Sequence, residues 1–207
     1  TKKTTPKSYD SYDADQGRIY AGGTDVNKYP KAQLRESFGI VPQKAQLMTG
    51  SIRKNLLWGK ADASDEELYD ALKAAQALDV VQSKTKGLDE NITEGGRNLS
   101  GGQKQRLCIA RALVRKPDIL IFDDSASALD YATEASLRKA LRELPYNPTV
   151  IIVSQRTASI KDADKILVLD DGRLAGIGTH EELLRNCDVY QEIHYSQYPE
   201  EVNSYER

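Results

Sequence analysis

Four consecutive apolar residues, Ile119-Leu120-Ile121-Phe122, run directly into two aspartates, Asp123 and Asp124. A strand with one wet face shows alternating polarity, so an unbroken apolar run of this length suits a strand covered on both faces. Such a strand needs packed layers above and below it, which points to an α/β domain with helices flanking a sheet. The rest of the chain agrees. Strand-like stretches at 17–21, 37–41, 149–153 and 165–169 alternate with helical ones. One helix is expected from Ser64, a suitable N-cap with Asp65, Glu66 and Glu67 in its first turn. Leu68, Ala71, Leu72 and Ala75 continue it as an apolar stripe toward Val80. A second helix is expected at about 102–115, stopped by Pro117, and a third at about 131–144. The turn Asp170-Asp171-Gly172 before 173–177 predicts a hairpin, with short helices after Thr179. Strands alternating with helices predict a mainly parallel sheet, whose ligands lie beyond the carboxyl ends of the strands.

Composition narrows the function classes. The 207 residues suffice for one ordinary domain with a small subdomain. The net charge is −2, without the basic excess that attracts nucleic acid, so no nucleic-acid partner is expected. Cys108 and Cys187 show no metal-ligand spacing and read as reduced thiols. No apolar run approaches the roughly 20 residues that cross a bilayer, and no signal-peptide pattern opens the chain. Any membrane link is therefore expected through another segment or chain. The first sixteen residues are polar and aperiodic, and the stretch after Tyr195 reads as a polar surface tail. His180 and His194 read as structural rather than metal-binding, with Thr179 as a helix N-cap.

Ser100-Gly101-Gly102-Gln103 has the form of a capping box, Ser followed three residues later by Gln at a helix start. Two glycines in that first turn are costly for a cap alone, at about 1 kcal/mol each relative to alanine. They leave the free N–H groups of the turn open to an anion, for which phosphate is the natural guest. Asp123 and Asp124, pushed out at a strand end, suit metal binding or acid–base work. A plain strand-ending turn is the simpler alternative.

The order of the segments decides between these readings. Leu99-Ser100-Gly101-Gly102-Gln103, a helix, Lys116-Pro117-Asp118, the apolar strand with Asp123-Asp124, and Ser127-Ala128-Leu129-Asp130 follow one another. This order resembles that of the ATP-binding cassettes of ABC transporters, over nearly the whole chain. The resemblance implies an ABC ATPase core of the P-loop NTPase type, with a mainly parallel sheet and a helical signature subdomain. The cassette would span 17–195, with Gln43 and the helical subdomain at about 44–115, between a polar segment at 1–16 and a tail at 196–207. Leu99–Gln103 matches the signature motif. Asp123 matches the Walker B aspartate, which holds Mg²⁺ through water. Ser127–Asp130 matches the D-loop at the dimer interface, and Gln43 matches the Q-loop glutamine, which senses the metal and touches the transmembrane domain. Gly50-Ser51-Ile52-Arg53-Lys54-Asn55-Leu56 and Thr93-Glu94-Gly95-Gly96 resemble the exporter branch, although Gly95 replaces the family's valine. The implied ligands are ATP and Mg²⁺. The implied partners are transmembrane domains and a second cassette, and the implied place is the cytoplasmic face of a membrane. In this family two cassettes pair head to tail, each signature closing on nucleotide held by the other.

Three departures qualify the resemblance. Asp124 stands where active members carry a glutamate base, and its carboxylate is one methylene further from the water. A misplacement of about 1 Å can cost roughly 100-fold in rate. Gln155, in Ser154-Gln155-Arg156, replaces the switch histidine; it can still donate a hydrogen bond to phosphate but cannot change charge. Two such changes in one half-site point to a degenerate site, as in heterodimeric exporters. A slow but working ATPase is the simpler alternative. Third, no Gly-x-x-x-x-Gly-Lys-Ser/Thr loop occurs. Lys2-Lys3-Thr4-Thr5 is a weak match to its end, because Pro6 follows where an apolar helix should run. The 207 residues are thus part of a longer chain, or the loop has been lost. The expected function is an exporter's energy-coupling domain whose signature completes a partner's site. The competing class is a soluble ABC-type clamp that responds to ATP without moving a substrate.

Overall fold

The structure, a computed structural model, describes residues 16–125 and 128–204. The expected irregular segment before residue 16, the Lys2–Thr5 match and Ser127 of the D-loop lie outside the described residues. The chain divides into two compact units, Thr1–Ser37 and Phe38–Arg207. The described part of the first contains a minimal antiparallel hairpin, β1 (Tyr20–Ala21) and β2 (Thr24–Asp25), and a one-and-a-half-turn helix, α1 (Lys31–Glu36). The strand expected at 17–21 ends where predicted, at the left-handed Gly22 and Gly23. It is shortened at its start, because its partner β2 gives way to a helical turn at Val26 and leaves only Val26 N–H to donate to Ile19 O at 3.0 Å.

The second unit holds β3 (Phe38–Val41), β4 (Gly50–Ser51), α2 (Ile52–Leu56), α3 (Asp65–Ala74), α4 (Leu78–Gln82), β5 (Asn91–Ile92), α5 (Gly101–Leu113) and β6 (Ile119–Asp123). It continues with α6 (Tyr131–Arg142), β7 (Thr149–Val153), α7 (Thr157–Ile160), β8 (Ile166–Asp170), β9 (Arg173–Gly178), α8 (His180–Asn186) and α9 (Asp188–Gln197). The apolar run of the sequence is β6, the middle strand of a parallel three-stranded sheet ordered β3-β6-β7. Val41 lies opposite Phe122, and Phe122 opposite Ile152, so three carboxyl ends finish side by side. The predicted hairpin is present as antiparallel β8 and β9, turning through Asp171 and Gly172, both with positive φ.

Two apolar clusters hold this unit together. One gathers Leu120 and Phe122 of β6 with Leu68 and Leu72 of α3, Leu107 and Ile109 of α5, and Leu137 and Leu141 of α6. The other joins Ile166 and Val168 of β8 to Leu183, Leu184, Cys187 and Tyr190. Both cysteines are free thiols buried in these clusters. The helix expected from Ser64 to about Val80 is broken in two. Gln76 adopts a left-handed φ of 54°. Ala77 N–H then donates to Leu72 O at 2.8 Å and Gln76 N–H to Lys73 O at 3.1 Å, a Schellman ending built without glycine. Arg106 holds the break from outside, donating to Gln76 O and gripping the Asp79 carboxylate with two nitrogens.

Among the described residues no strand pairs with the edge of β7 that faces away from β6. Ile151 and Val153 of β7 are 45% and 52% exposed, and Leu167 and Leu169 of β8 are 60% and 66% exposed. No described helix is long and apolar enough to cross a membrane.

Gly59 follows α2 and lies against α5. A Cβ there would run into the Arg111 carbonyl, and Arg115 Nε donates to Gly59 O at 2.9 Å. Gly59→Ala is expected to destabilise the fold by about 1–3 kcal/mol through overpacking, measured by urea unfolding against the parent chain.

Candidate functional site

The site residues gather where the parallel strands end, as the topology of such sheets dictates. Gln43 follows β3, Asp123 closes β6 with Asp124 after it, and Gln155 follows β7. Asp124 leaves the strand with a φ of 44°. That left-handed conformation is uncommon outside glycine and most often adopted by Asn and Asp. Its N–H donates to Val153 O at 2.9 Å, holding the bend against β7. Its carboxylate accepts from Gln43 Nε2 at 3.0 Å. Two residues singled out separately, 81 positions apart, are thus in contact.

The loop carrying Gln43 is held by residues to which motif reading gave no such role, although Asn55 stood in the matched segment Gly50–Leu56. Gln105, buried inside α5, donates to Pro42 O at 3.3 Å. The Cys108 thiol lies 3.6 Å from Gln46 O, and burial raises its pKa. Asn55, buried in α2, accepts from Met48 N–H at 2.7 Å and donates to Met48 O at 2.8 Å and Ser51 O at 3.1 Å. These amides had a signal in the sequence: Asn55 shares a helix face with Ile52 and Leu56, and Gln105 precedes Cys108 and Ile109 by one turn on the face that continues as apolar. A buried carboxamide persists where it satisfies backbone groups that have no ladder partner.

The signature segment is the capped helix start that its sequence suggests. Ser100 Oγ accepts from Gln103 N–H at 3.2 Å, and Gln103 Oε1 accepts from Ser100 N–H at 3.0 Å. Leu99 is buried and fixes the segment to the core, while Ser100 and Gly101 are exposed. A Cβ on Gly101 would meet open space, but on Gly102 it would press the Ala128 carbonyl at 3.3 Å. Gly102 therefore allows the start of α5 to pass close under the D-loop, a packing reason the sequence does not show. Asp130 N-caps α6. Its carboxylate is held below its ordinary range, first by the Thr133 N–H at 2.9 Å and then by the Thr133 hydroxyl at 2.7 Å. Gly95, the replacement for the family's valine, has a φ of 64°, a conformation a β-branched residue avoids. Lys104 Nζ donates to its carbonyl at 2.9 Å, tying this loop to α5.

The donor set suits the ligands implied by the resemblance in part. Asp123, Asp124 and the Gln43 Oε1, left as an acceptor by the Nε2 contact, are hard oxygen ligands of the kind Mg²⁺ takes. The open turn at Gly101 is a suitable phosphate contact at the end of a thirteen-residue helix. The loop that would cradle phosphates is absent from the 207 residues.

Comparison with known proteins gives a consistent picture. A family model described as ABC transporter matches residues 8–127. The chain is 45% identical over 190 residues to the ABC transporter ATP-binding protein YfiB of Bacillus subtilis, covering 92% of this chain and 33% of that protein. It is 39% identical to the ATP-dependent lipid A-core flippase of Vibrio vulnificus, covering 91% of this chain and 33% of the flippase. A solved bacterial Atm1-family ABC exporter with ATP bound aligns at a TM-score of 0.85 and 40% identity, covering 91% of this chain and 33% of that one. The chain spans about a third of the length of the curated relatives it matches.

Asn55→Leu keeps the size of the side chain and strands the Met48 N–H and C=O. Each unsatisfied buried group costs about 1–3 kcal/mol. The variant is expected to unfold at lower urea and to be cleaved faster between residues 43 and 51 in limited proteolysis.

Proposed function

The chain belongs to the ABC transporter family, and from that premise we propose that it is the nucleotide-binding domain of an exporter, coupling ATP binding and hydrolysis to transport across a membrane. The observation that carries this reading is the capped, glycine-opened start of α5, since a helix start bare of side chains is built to meet an anion. Leu99 anchors that turn, and Ser100, Gly101, Gly102 and Gln103 present it outward, toward nucleotide held by a second cassette. Asp130 stiffens the start of α6 beside it. ATP supplies the phosphoryl group when bound, with Mg²⁺ neutralising its charge. Asp123 and Gln43 would hold the metal, and Asp124 and Gln155 would face the γ-phosphate. The partners are transmembrane domains and a second cassette, on the cytoplasmic face of the membrane.

We assign the chain's own half-site as the slow one and the partner as a different, catalytically complete cassette. Asp124 and Gln155 together support this: the shorter acid is drawn onto Gln43, and Gln155 carries no titratable ring. The exposed apolar edges of β7 and β8 suit cover by a further strand leading into a phosphate-cradling loop.

Three outcomes are expected. In the assembled transporter, Ser100→Arg should lower ATP turnover by more than about 100-fold, the scale of losing a preorganised donor set. Asp124→Ala should leave turnover nearly unchanged, and equal losses from both would refute the slow-site assignment. Calorimetry of the 207-residue chain with ATP should show no micromolar binding, whereas the longer polypeptide should bind.

A further inference from the structure

Helix α9, which a short 3-10 turn at Pro199–Ser204 follows, is fastened to the segment after β7. Gln197, the last residue of α9, donates from Nε2 to Gln155 O at 2.8 Å and accepts at Oε1 from Thr157 N–H at 3.1 Å. One carboxamide thus satisfies the backbone on both sides of Arg156, from about forty residues away in sequence. One turn earlier on α9, the buried His194 approaches the Thr157 hydroxyl with Nδ1 at 3.0 Å and the Glu201 carboxylate with Nε2 at 3.0 Å. A carboxylate only accepts, so Nε2 donates to Glu201, and the Thr157 hydroxyl is taken up by Nδ1. The hydroxyl lies 3.4 Å from Gln197 Oε1, longer than the 3.1 Å contact of the Thr157 N–H, so that N–H is the main partner of Gln197 Oε1. Arg156 is held from the other side, 3.6 Å from the buried Glu134 of α6, and its N–H donates to Ser154 Oγ at 3.0 Å.

We infer that α9 is a latch on the switch segment, and that Gln197 and His194 are positioning residues that set how Gln155 presents its side chain to nucleotide. The latch grips Gln155 only by its backbone, so the side chain's hydrogen-bonding groups remain for the ligand. Arg156 N–H, Thr157 N–H and Gln155 O have no ladder partner once β7 ends at Val153. A short segment with backbone groups left to water samples many conformations, each placing Gln155 differently. Two contacts from α9 restrict that sampling at a cost already met in folding the helix. Movement of α9 is then conveyed to the nucleotide site, which makes this helix a place where a partner or the following chain could tune ATP binding.

The inference rests on the reading of Gln155 as a nucleotide contact, and the test separates the two. The full-length polypeptide containing this chain is prepared as Gln197→Ala, Gln155→Ala and the double variant. Hydrogen exchange over residues 155–160 and the apparent affinity for labelled ATP are measured on each. Gln197 is exposed, so its removal does not threaten the core. Gln197→Ala should raise exchange at Thr157 about tenfold, the equivalent of one lost hydrogen bond. It should weaken ATP binding by roughly the factor that Gln155→Ala does, about tenfold for a contact to a charged group, with the double variant no weaker than Gln155→Ala. Gln155→Ala keeps its carbonyl and so keeps the latch, which makes the pair a clean cycle. Unchanged exchange at Thr157, or a double variant that loses the product of both single effects, overturns the proposal. A wild-type polypeptide that binds no ATP refutes the functional reading instead, and exchange alone then decides the latch.

Discussion

Strand β6 is the constraint on which the rest depends. It is hydrogen-bonded on both edges, to β3 and to β7, and its Leu120 and Phe122 face packs into the main apolar cluster with residues of α3, α5 and α6. Ile119 and Ile121 on the other face are only half-buried, so among the described residues the expected cover on both faces is present on one. Because the three strands are parallel and in register, their carboxyl ends finish at one level. Gln43, Asp123, Asp124 and Gln155 come together for that reason alone. Everything else in the candidate site refines the aim of these residues. Buried amides hold the loop after β3, a left-handed bend directs Asp124, and α9 holds the segment after β7.

The fold was largely legible in the sequence because its main signals are local. The apolar run 119–122, the capping boxes at Ser64 and Ser100 and the Asp171-Gly172 turn each act within a few residues. The break at Gln76 was hidden because a helix ending of this form usually carries glycine. Here the left-handed residue is a glutamine, stabilised by Arg106 thirty positions on. The motif residues were legible in the same way. Their supports were not, since the value of Asn55, Gln105 or Gln197 depends on which backbone group each meets across 7, 63 or 42 positions. A polar residue on an apolar helix face gives the hint, but the partner is knowable only once the chain has folded.

The two glycines of the signature illustrate how one motif can serve two constraints. Gly101 faces open space, so no packing demand explains it, and its bareness suits an incoming anion. Gly102 lies under Ala128, where a side chain would push the D-loop away. Read together they look like one phosphate-binding pattern. In the structure the first is open to a ligand and the second is a spacer between α5 and the D-loop.

Asp124 brings the same question to the half-site this chain builds for itself. Its backbone is in the left-handed region, where aspartate is among the better-tolerated residues, so local geometry alone gives a reason for the shorter acid. That geometry turns the carboxylate onto the Gln43 carboxamide, 3.0 Å away. An acid in that contact spends acceptor capacity on the protein that a base would need for an attacking water. It gains in return a fixed tie between the ends of β3 and β6. Under the proposed slow-site assignment, exchanging a base for a tether would lower turnover and add order, as suits a half-site that holds nucleotide while a partner hydrolyses it. On that view Gln155 is of one piece with Asp124: its side chain can bind phosphate and cannot titrate, and its backbone is held in place by Gln197 of α9.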